Sequence, residues 1–389
     1  MACAVGLLCG TANAQVPVIP STPTNLASSV DRMISYRQQE HLWQTADGAL
    51  HLLMNRGRLE PHNGLVLYSS YDGGTEWTAG PSWTDVGNKS TADGVLRGNT
   101  LQTAYSTRQG AIVQAELSYD SANRRWTVVR QATVMPAGTL TAENPSIGVD
   151  ALGNLWSSFV TAHSVTGELV LRLYHRPSGG TAWQDTGLTF GPPGTGSVAR
   201  SARLITMPGG MAVLYKVAET LSWAVRADGS PPTVPWVSTT VFDSPPPEPK
   251  DPYASHFSTV TDRQGNLHLV MADDGLPLYF RFNNRSGTWG TGRVLDETAT
   301  VSYCQISLVD DRLVVTYSNG SDDSRVLVSD NRGLSFSELA RLRPTPIDGA
   351  GYSFSRLETA TISTNPLKVL RQFEHERTDK LMLFTVPVP

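Results

Sequence analysis

The sequence predicts an all-β protein, a seven-bladed β-propeller of four-stranded antiparallel blades that forms one domain over residues 15–389. Three observations carry this expectation. Gly 34 and Pro 25 together make 59 of 389 residues, while charged residues make only 17%, a composition suited to many short strands joined by turns. No segment keeps a sustained helical period of apolar residues. An aromatic residue recurs at Trp77, Trp126, Trp183, Trp236, Trp289 and Phe336, with spacings of 49, 57, 53, 53 and 47. A period near fifty is too long for most helical repeats and fits one four-stranded blade.

In chain order, Met1 to Leu8 are small or apolar, and Ala12-Asn13-Ala14 before Gln15 reads as the cleavage site of a secretory signal over residues 1–14. A secreted or periplasmic location follows. The segment lacks a basic start, so an apolar tail is the competing reading, and Leu7-Leu8-Cys9 lacks the small residue expected before a lipidated cysteine. Cys3 and Cys9 fall inside it, which leaves Cys304 alone and forbids an intramolecular disulfide in the mature chain. The stretch Asp31 to Gln38 reads as a strand that completes the last blade and closes the ring.

Six repeats then cover roughly residues 39 to 346. Several carry a turn with Asp and Gly between two strands, as in Thr45-Ala46-Asp47-Gly48, Val149 to Asn154 and Thr261 to Asn266. The joined strands run apolar, as in His51 to Met54, Trp156 to Val160 and Leu267 to Met271. Gly351 to Pro389 supplies three more strand-like runs. Gly191 to Gly196 and Ser244 to Pro249 read as surface connections, not domain linkers. A pair of β-sandwiches would also give short strands and regular turns, but would not place six aromatics in one register.

Mean hydropathy is −0.20 and no apolar run approaches ~18 residues, which excludes a helical membrane span. A net charge of −4 gives no electrostatic footprint for a nucleic-acid partner.

Ser70-Tyr71-Asp72-Gly73-Gly74-Thr75-Glu76-Trp77 matches the pattern SxDxGxxW in full, and Ser329 to Phe336 matches it with Asn331 for Asp and Phe336 for Trp. This resembles the Asp box, or bacterial neuraminidase repeat, of sialidase-type propellers. The physical reading is that Asp folds onto turn amides, Gly takes a positive φ and the aromatic is buried under the hairpin. The resemblance implies a ligand site on the opposite face, at the starts of the innermost strands and in the loops between second and third strands. Six residues before the hairpin aspartates stand His41, Asn144, His256 and Cys304; the loops add Arg58 to His62, Tyr105 to Arg108, His163, Asp273, Asp274 and His375.

The Arg-Ile-Pro type motif of sialidases is absent. The pair His41 and His62, 21 residues apart, followed by Tyr105 and His163, resembles the propeller polysaccharide lyases that cleave ulvan and related rhamnose-glucuronate linkages. That resemblance implies β-elimination on an acidic, uronate-containing polysaccharide. His41 or His62 would neutralise the carboxylate or act as base and Tyr105 as acid or base, while Arg108 or Arg200 would hold the uronate. Asn144 and His163 would complete the substrate site. Each positioned proton-transfer group contributes ~10²- to 10⁴-fold, and a cation on the carboxylate stabilises the enolate charge.

Plainer readings compete for the same residues. His41 can simply hydrogen-bond a neighbouring strand, Tyr105 can be ordinary packing, and His51 and His268, inside second strands, read as satisfied core histidines. Asp273-Asp274-Gly275 reads as a turn; otherwise one carboxylate could serve a hydrolase, whose pair faces at roughly 5 to 9.5 Å. His256, His268 and Cys304 form a possible structural zinc set, and no organic cofactor is expected. Two further functions remain open: a sialidase-like glycoside hydrolase, and a non-catalytic carbohydrate-binding propeller using exposed aromatics such as Trp43 and Tyr303.

Overall fold

The computed structural model describes residues 16–389 except 35, 37, 89, 195–199, 219, 244–256, 302, 320–322 and 352–355. The proposed signal and His256 lie outside the described residues.

The described strands form seven sheets that follow one another along the chain. The first is Leu42–Gln44, Leu50–Asn55, Leu65–Ser70 and Thr78–Trp83; the second is Ala92–Arg97, Thr100–Ser106, Ile112–Asp120 and Arg125–Met135. The third is Leu140–Val149, Leu155–His163, Leu169–Arg176 and Gln184–Gly194; the fourth is Arg200–Met207, Gly210–Val217, Thr220–Ala227 and Val237–Asp243. The fifth is Phe257–Thr261, Leu267–Asp273 and Leu276–Asn283, edged by Thr288–Trp289 and Arg293–Val294; the sixth is Cys304–Val309, Arg312–Asn319, Asp323–Ser329 and Ser337–Arg343. In the seventh, Ala350–Gly351 and Leu357–Thr359 both pair with Leu367–His375, which pairs with Thr378–Val386.

The inner strands are largely buried on both faces, so their apolar side chains fill the gaps between sheets. Trp43, Leu67 and Trp83 of the first sheet cluster with Leu101, Leu117 and Trp126 of the second. The second and third share Ala104, Ile112, Ile147 and Phe159. Shared clusters continue pair by pair through the ring. The last joins Leu370, Leu381 and Leu383 of the seventh sheet to Leu42, Leu52 and Val66 of the first. The seven sheets therefore close a ring, and the core is a set of wedges between neighbours, not one central mass.

The ring is locked by the N-terminal segment, though by a different stretch from the one the sequence suggested. Thr22–Ser28 pairs antiparallel with Thr378–Val386 and completes the seventh sheet, and Val18–Pro20 adds in parallel to Ser337–Arg343 of the sixth. The described part of Asp31 to Gln38 is turn and bend. It buries Met33 and Ile34 between the seventh and first sheets, so its apolar residues serve as a plug where the sequence suggested a strand. One reading of a loop also changes, since Gly191 to Gly194 lies within Gln184–Gly194; Ser244 to Pro249 lies outside the described residues.

Turn chemistry sets the strand ends. Asp262 Oδ1 accepts the backbone N–H groups of Gln264 and Asn266, both at 2.9 Å, and its Oδ2 meets His268 Nε2 at 3.2 Å. Gly265 there has φ +78, and a Cβ would stand 2.5 Å from Pro208. In the turn after Leu65–Ser70, Asp72 accepts Ser70 Oγ at 2.8 Å and the N–H groups of Thr75 and Glu76 at 3.1 Å. Trp77 is buried beneath, its indole N–H donating to Gly74 O at 2.7 Å. Asn331 accepts Ser329 Oγ and Ser335 N in the same way, both at 2.9 Å. Both kinds of turn leave one face of the ring, the hairpin face. The inner-strand starts and the loops between second and third strands occupy the other.

Candidate functional site

Inner strands contribute polar side chains to the centre of the ring. Arg203 Nη1 donates to Asp93 Oδ1 at 2.6 Å and to Gln38 O at 2.9 Å, and its Nη2 donates to Glu40 Oε2 at 2.9 Å. Asp93 Oδ2 accepts Ser146 Oγ and Ile147 N, both at 2.9 Å. His41 Nδ1 faces Glu358 Oε2 at 3.1 Å, and Gln305 Oε1 accepts Thr359 Oγ1 at 2.8 Å. Burial pushes the Glu40 carboxyl up, with Arg203 opposing; burial works against the charge on Arg203, yet Asp93 and Glu40 hold its pKa above the ordinary value. The space left among these groups is about 10 Å³, room for about one water. The centre is closed to a sugar.

The strand-start face offers a groove of about 310 Å³ between the second and third sheets, lined by Ser90, Thr107, Arg108, Gln109, Thr141 and Glu143 among others. Its wall is the tight loop between Thr100–Ser106 and Ile112–Asp120. Thr107 Oγ1 accepts Ala111 N at 3.0 Å, and Gly110 O accepts Ala142 N at 2.8 Å, which joins the two sheets. Gly110 has φ +82 and a Cβ would lie 2.6 Å from Thr141; only glycine fits. Arg108 N donates to Asp85 O at 2.7 Å, and Nη2 donates to Val86 O at 3.2 Å. The exposed guanidinium is thus held at one amino group.

The sequence-derived candidates separate. Arg108 lines the groove. Asn144 follows directly on Glu143, with φ +53 and a buried Oδ1 that has no hydrogen-bond partner. His163 follows on Ala162 and uses Nδ1 to accept the N–H groups of Val165 and Thr166 at 3.3 and 3.2 Å, so it caps its own turn. Arg200, 6% exposed at the start of the fourth sheet, has no partner for Nε or Nη1, and burial lowers its pKa. His62 is exposed in the loop between Leu50–Asn55 and Leu65–Ser70. Tyr303 is half-buried.

Other candidates are corrected. Tyr105, expected as a proton-transfer group, is 0% exposed. Its ring packs 5.5 Å from Trp83 and its hydroxyl meets Gln131 Nε2 at 3.3 Å. Burial, with the Asp85 charge adding to it, raises its pKa, so it is core where a catalyst was expected. His41 is buried against Glu358 and does not reach the groove. The zinc set does not assemble: His268 sits at the hairpin end, opposite Val260, between Asp262 and Tyr279 Oη, while buried Cys304 begins its strand at the other end, opposite Tyr317. Among the described residues no three His, Cys, Asp or Glu side chains group to hold a metal ion. Asp274-Gly275 is a two-residue turn with φ +49 and +77. Trp43, offered as an exposed aromatic, is buried against Gly94.

Sequence reasoning missed Arg203, Glu40, Asp93 and Glu358, and also Glu143. For Arg203, Asp93, Glu143 and Glu358 the signal was a charged residue within an inner strand, as in Leu357–Thr359, where Glu358 stands between Leu and Thr; Glu40 lies just before such a strand.

No protein-family model matches the sequence, and no curated protein matches it. Solved structures do. A putative 6-phosphogluconolactonase of Bacteroides fragilis NCTC 9343 superposes with a TM-score of 0.53 at 12% identity, over 85% of this chain and 91% of that one. The polysaccharide lyase Uly1 gives 0.52 at 10% identity, over 90% of each chain. A mutant of AofleA from Arthrobotrys oligospora gives 0.51 at 11% identity, over 85% of this chain and 100% of that one. This chain has the β-propeller fold. At these identities the likeness carries the fold alone, and the propeller's function rests on its own residues.

Proposed function

We propose that this propeller binds an acidic, uronate-containing polysaccharide in the groove between its second and third sheets. The observation that carries the reading is Arg108, an exposed guanidinium anchored by the Val86 carbonyl on the wall of a cleft of about 310 Å³. A planar guanidinium suits a carboxylate, while Ser90, Thr107 and Thr141 supply hydroxyls for a sugar. Glu143 is the one carboxylate among the described lining residues, so the groove does not assemble the pair a glycoside hydrolase needs. The reading goes with an exported protein and calls for no organic cofactor.

The test is calorimetric titration with ulvan, a rhamnose-glucuronate glycan and a neutral glucan. Binding of the uronate polymers that weakens about ten- to a hundredfold in Arg108→Ala supports the reading, in line with ~1.5–3 kcal/mol for a hydrogen bond to a charged group. Equal binding of the neutral glucan, or no change in the variant, overturns it.

β-Elimination is the second reading, favoured by the fold shared with Uly1 over 90% of each chain and by His62 exposed on the same face as the groove. It predicts absorbance near the enoate band that His62→Ala abolishes. With Tyr105 in the core, the proton for the leaving oxygen comes from another group.

A further inference from the structure

The hairpin face carries its own cavity, about 390 Å³, larger than the groove and walled by turns of the first, fifth and sixth sheets and by Ile362 to Thr364, of which Ile362–Ser363 pairs in parallel with Leu308 and Val309 of the sixth. It lies on the side away from Arg108 and shares no residue with the groove. Its volume falls within the range of small-ligand sites, about 300 to 1,000 Å³. We propose that this mouth is a second binding site that takes a neutral sugar of one or two rings.

The chemistry of the wall argues for that class. Gln44 Oε1 accepts both Thr364 N at 2.8 Å and Thr364 Oγ1 at 3.2 Å, which leaves the Gln44 amide NH₂ as the donor end. Asp310 Oδ2 accepts Asn365 N at 3.1 Å, which leaves Oδ1 as an acceptor. The mouth therefore offers a donor at Gln44 and an acceptor at Asp310, a pairing that suits a sugar hydroxyl, which both donates and accepts. Ile362, 64% exposed, gives the wall an apolar patch for the C–H face of a ring.

Other ligands fit poorly. Asp262, Asp310 and Asp311 outnumber Arg263, and Arg263 already pairs with Asp311 at 2.7 Å, so an anion meets net negative charge. A metal ion finds no group of three ligating side chains among the described residues. The site is held open by the turn Val309 to Arg312, in which Asp310 and Asp311 both take positive φ, +45 and +71. That turn type favours Asn, Asp and Gly.

The experiment titrates the full chain with L-rhamnose, L-fucose, D-galactose, D-xylose, lactose and cellobiose, alongside Asp310→Asn, Ile362→Lys and Arg108→Ala. Asn keeps the positive-φ turn while removing the charged acceptor, and Lys at an exposed position fills the mouth; thermal unfolding checks that both fold. At least one sugar is expected to bind, at least tenfold more weakly in both mouth variants and unchanged in Arg108→Ala. Absence of binding by every sugar, binding that survives both mouth variants, or binding lost in Arg108→Ala overturns the proposal. Uronate polymers run against the same three variants test the groove separately, so either site can fail alone.

Discussion

His51 stands where two sheets meet. Trp126 of the second sheet donates its indole N–H to His51 Nδ1 at 2.9 Å, and His51 Nε2 lies 3.0 Å from Thr45 Oγ1, which donates to Asp47. With Nδ1 accepting, the ring is neutral and carries its proton on Nε2. A second proton would face the Trp126 N–H. Burial lowers the pKa from 6.5 to about 4, with the Asp47 charge opposing. Between these values the unfolded chain binds more protons than the folded one, so stability rises with pH across this window and is lost as pH falls from 6.5 toward 4. The full effect is about 3 kcal/mol at ~1.4 kcal/mol per pKa unit. Urea unfolding at pH 7.5 and 4.5 should show it, with a shallower dependence in His51→Gln; equal slopes in the two proteins would refute the assignment. Tyr105 makes the complementary case. Tyr105→Phe removes one hydrogen bond to Gln131, worth ~0.5–1.5 kcal/mol, and should leave uronate binding at its wild-type value. A loss of binding with the fold intact would return Tyr105 to the site.

At the scale of the element, the closing strand Thr22–Ser28 ties the N-terminus to the last sheet. Leu26 of this strand is buried with Leu381, Leu383 and Trp77, and Thr24 Oγ1 donates to Leu381 O at 2.8 Å. Leu26→Ala should cost ~2–5 kcal/mol, seen as a lower unfolding midpoint, whereas the same change at exposed Leu334 should cost little. If the two substitutions weigh the same, the strand is not what holds the ring. This element also marks how far the sequence was legible. Turns with Asp, Gly and a following aromatic revealed the repeat because local hydrogen bonding fixes them, as at Asp72 and Asp262. The closing strand was misplaced by about nine residues, because Met33 and Ile34 are as apolar as a strand and only contact with distant sheets makes them a plug. The groove residue Arg108 was visible through its place in a loop between strands. Tyr105, one residue inside the strand end, faces the neighbouring sheet instead, and a shift of that size lies beyond what a pattern resolves.

The whole ring is joined at its centre by charge. Arg203 belongs to the fourth sheet, yet it binds Glu40 ahead of the first and Asp93 of the second, and Asp93 in turn holds Ser146 of the third. Wedges of apolar residues fix each sheet against its neighbours, and this network couples sheets that are not neighbours, as the bond from Arg97 to Thr206 also does. A guanidinium between two buried carboxylates is costly to remove, because both charges then lack their partner; breaking such a pair typically costs ~3–5 kcal/mol. Arg203→Met should therefore destabilise the protein strongly at pH 7.5. The penalty should shrink toward pH 5, since the Glu40 carboxyl is already pushed up by burial and rises further without Arg203, letting it protonate and shed its charge. In linkage terms the variant folded state binds more protons than the unfolded state above the ordinary carboxylate range, so its stability falls as pH rises. Unfolding free energies of Arg203→Met measured from pH 5 to 8 read this directly. A penalty that is the same at both ends would mean the carboxylates are already solvated and the centre of the ring is not the electrostatic clasp its geometry describes.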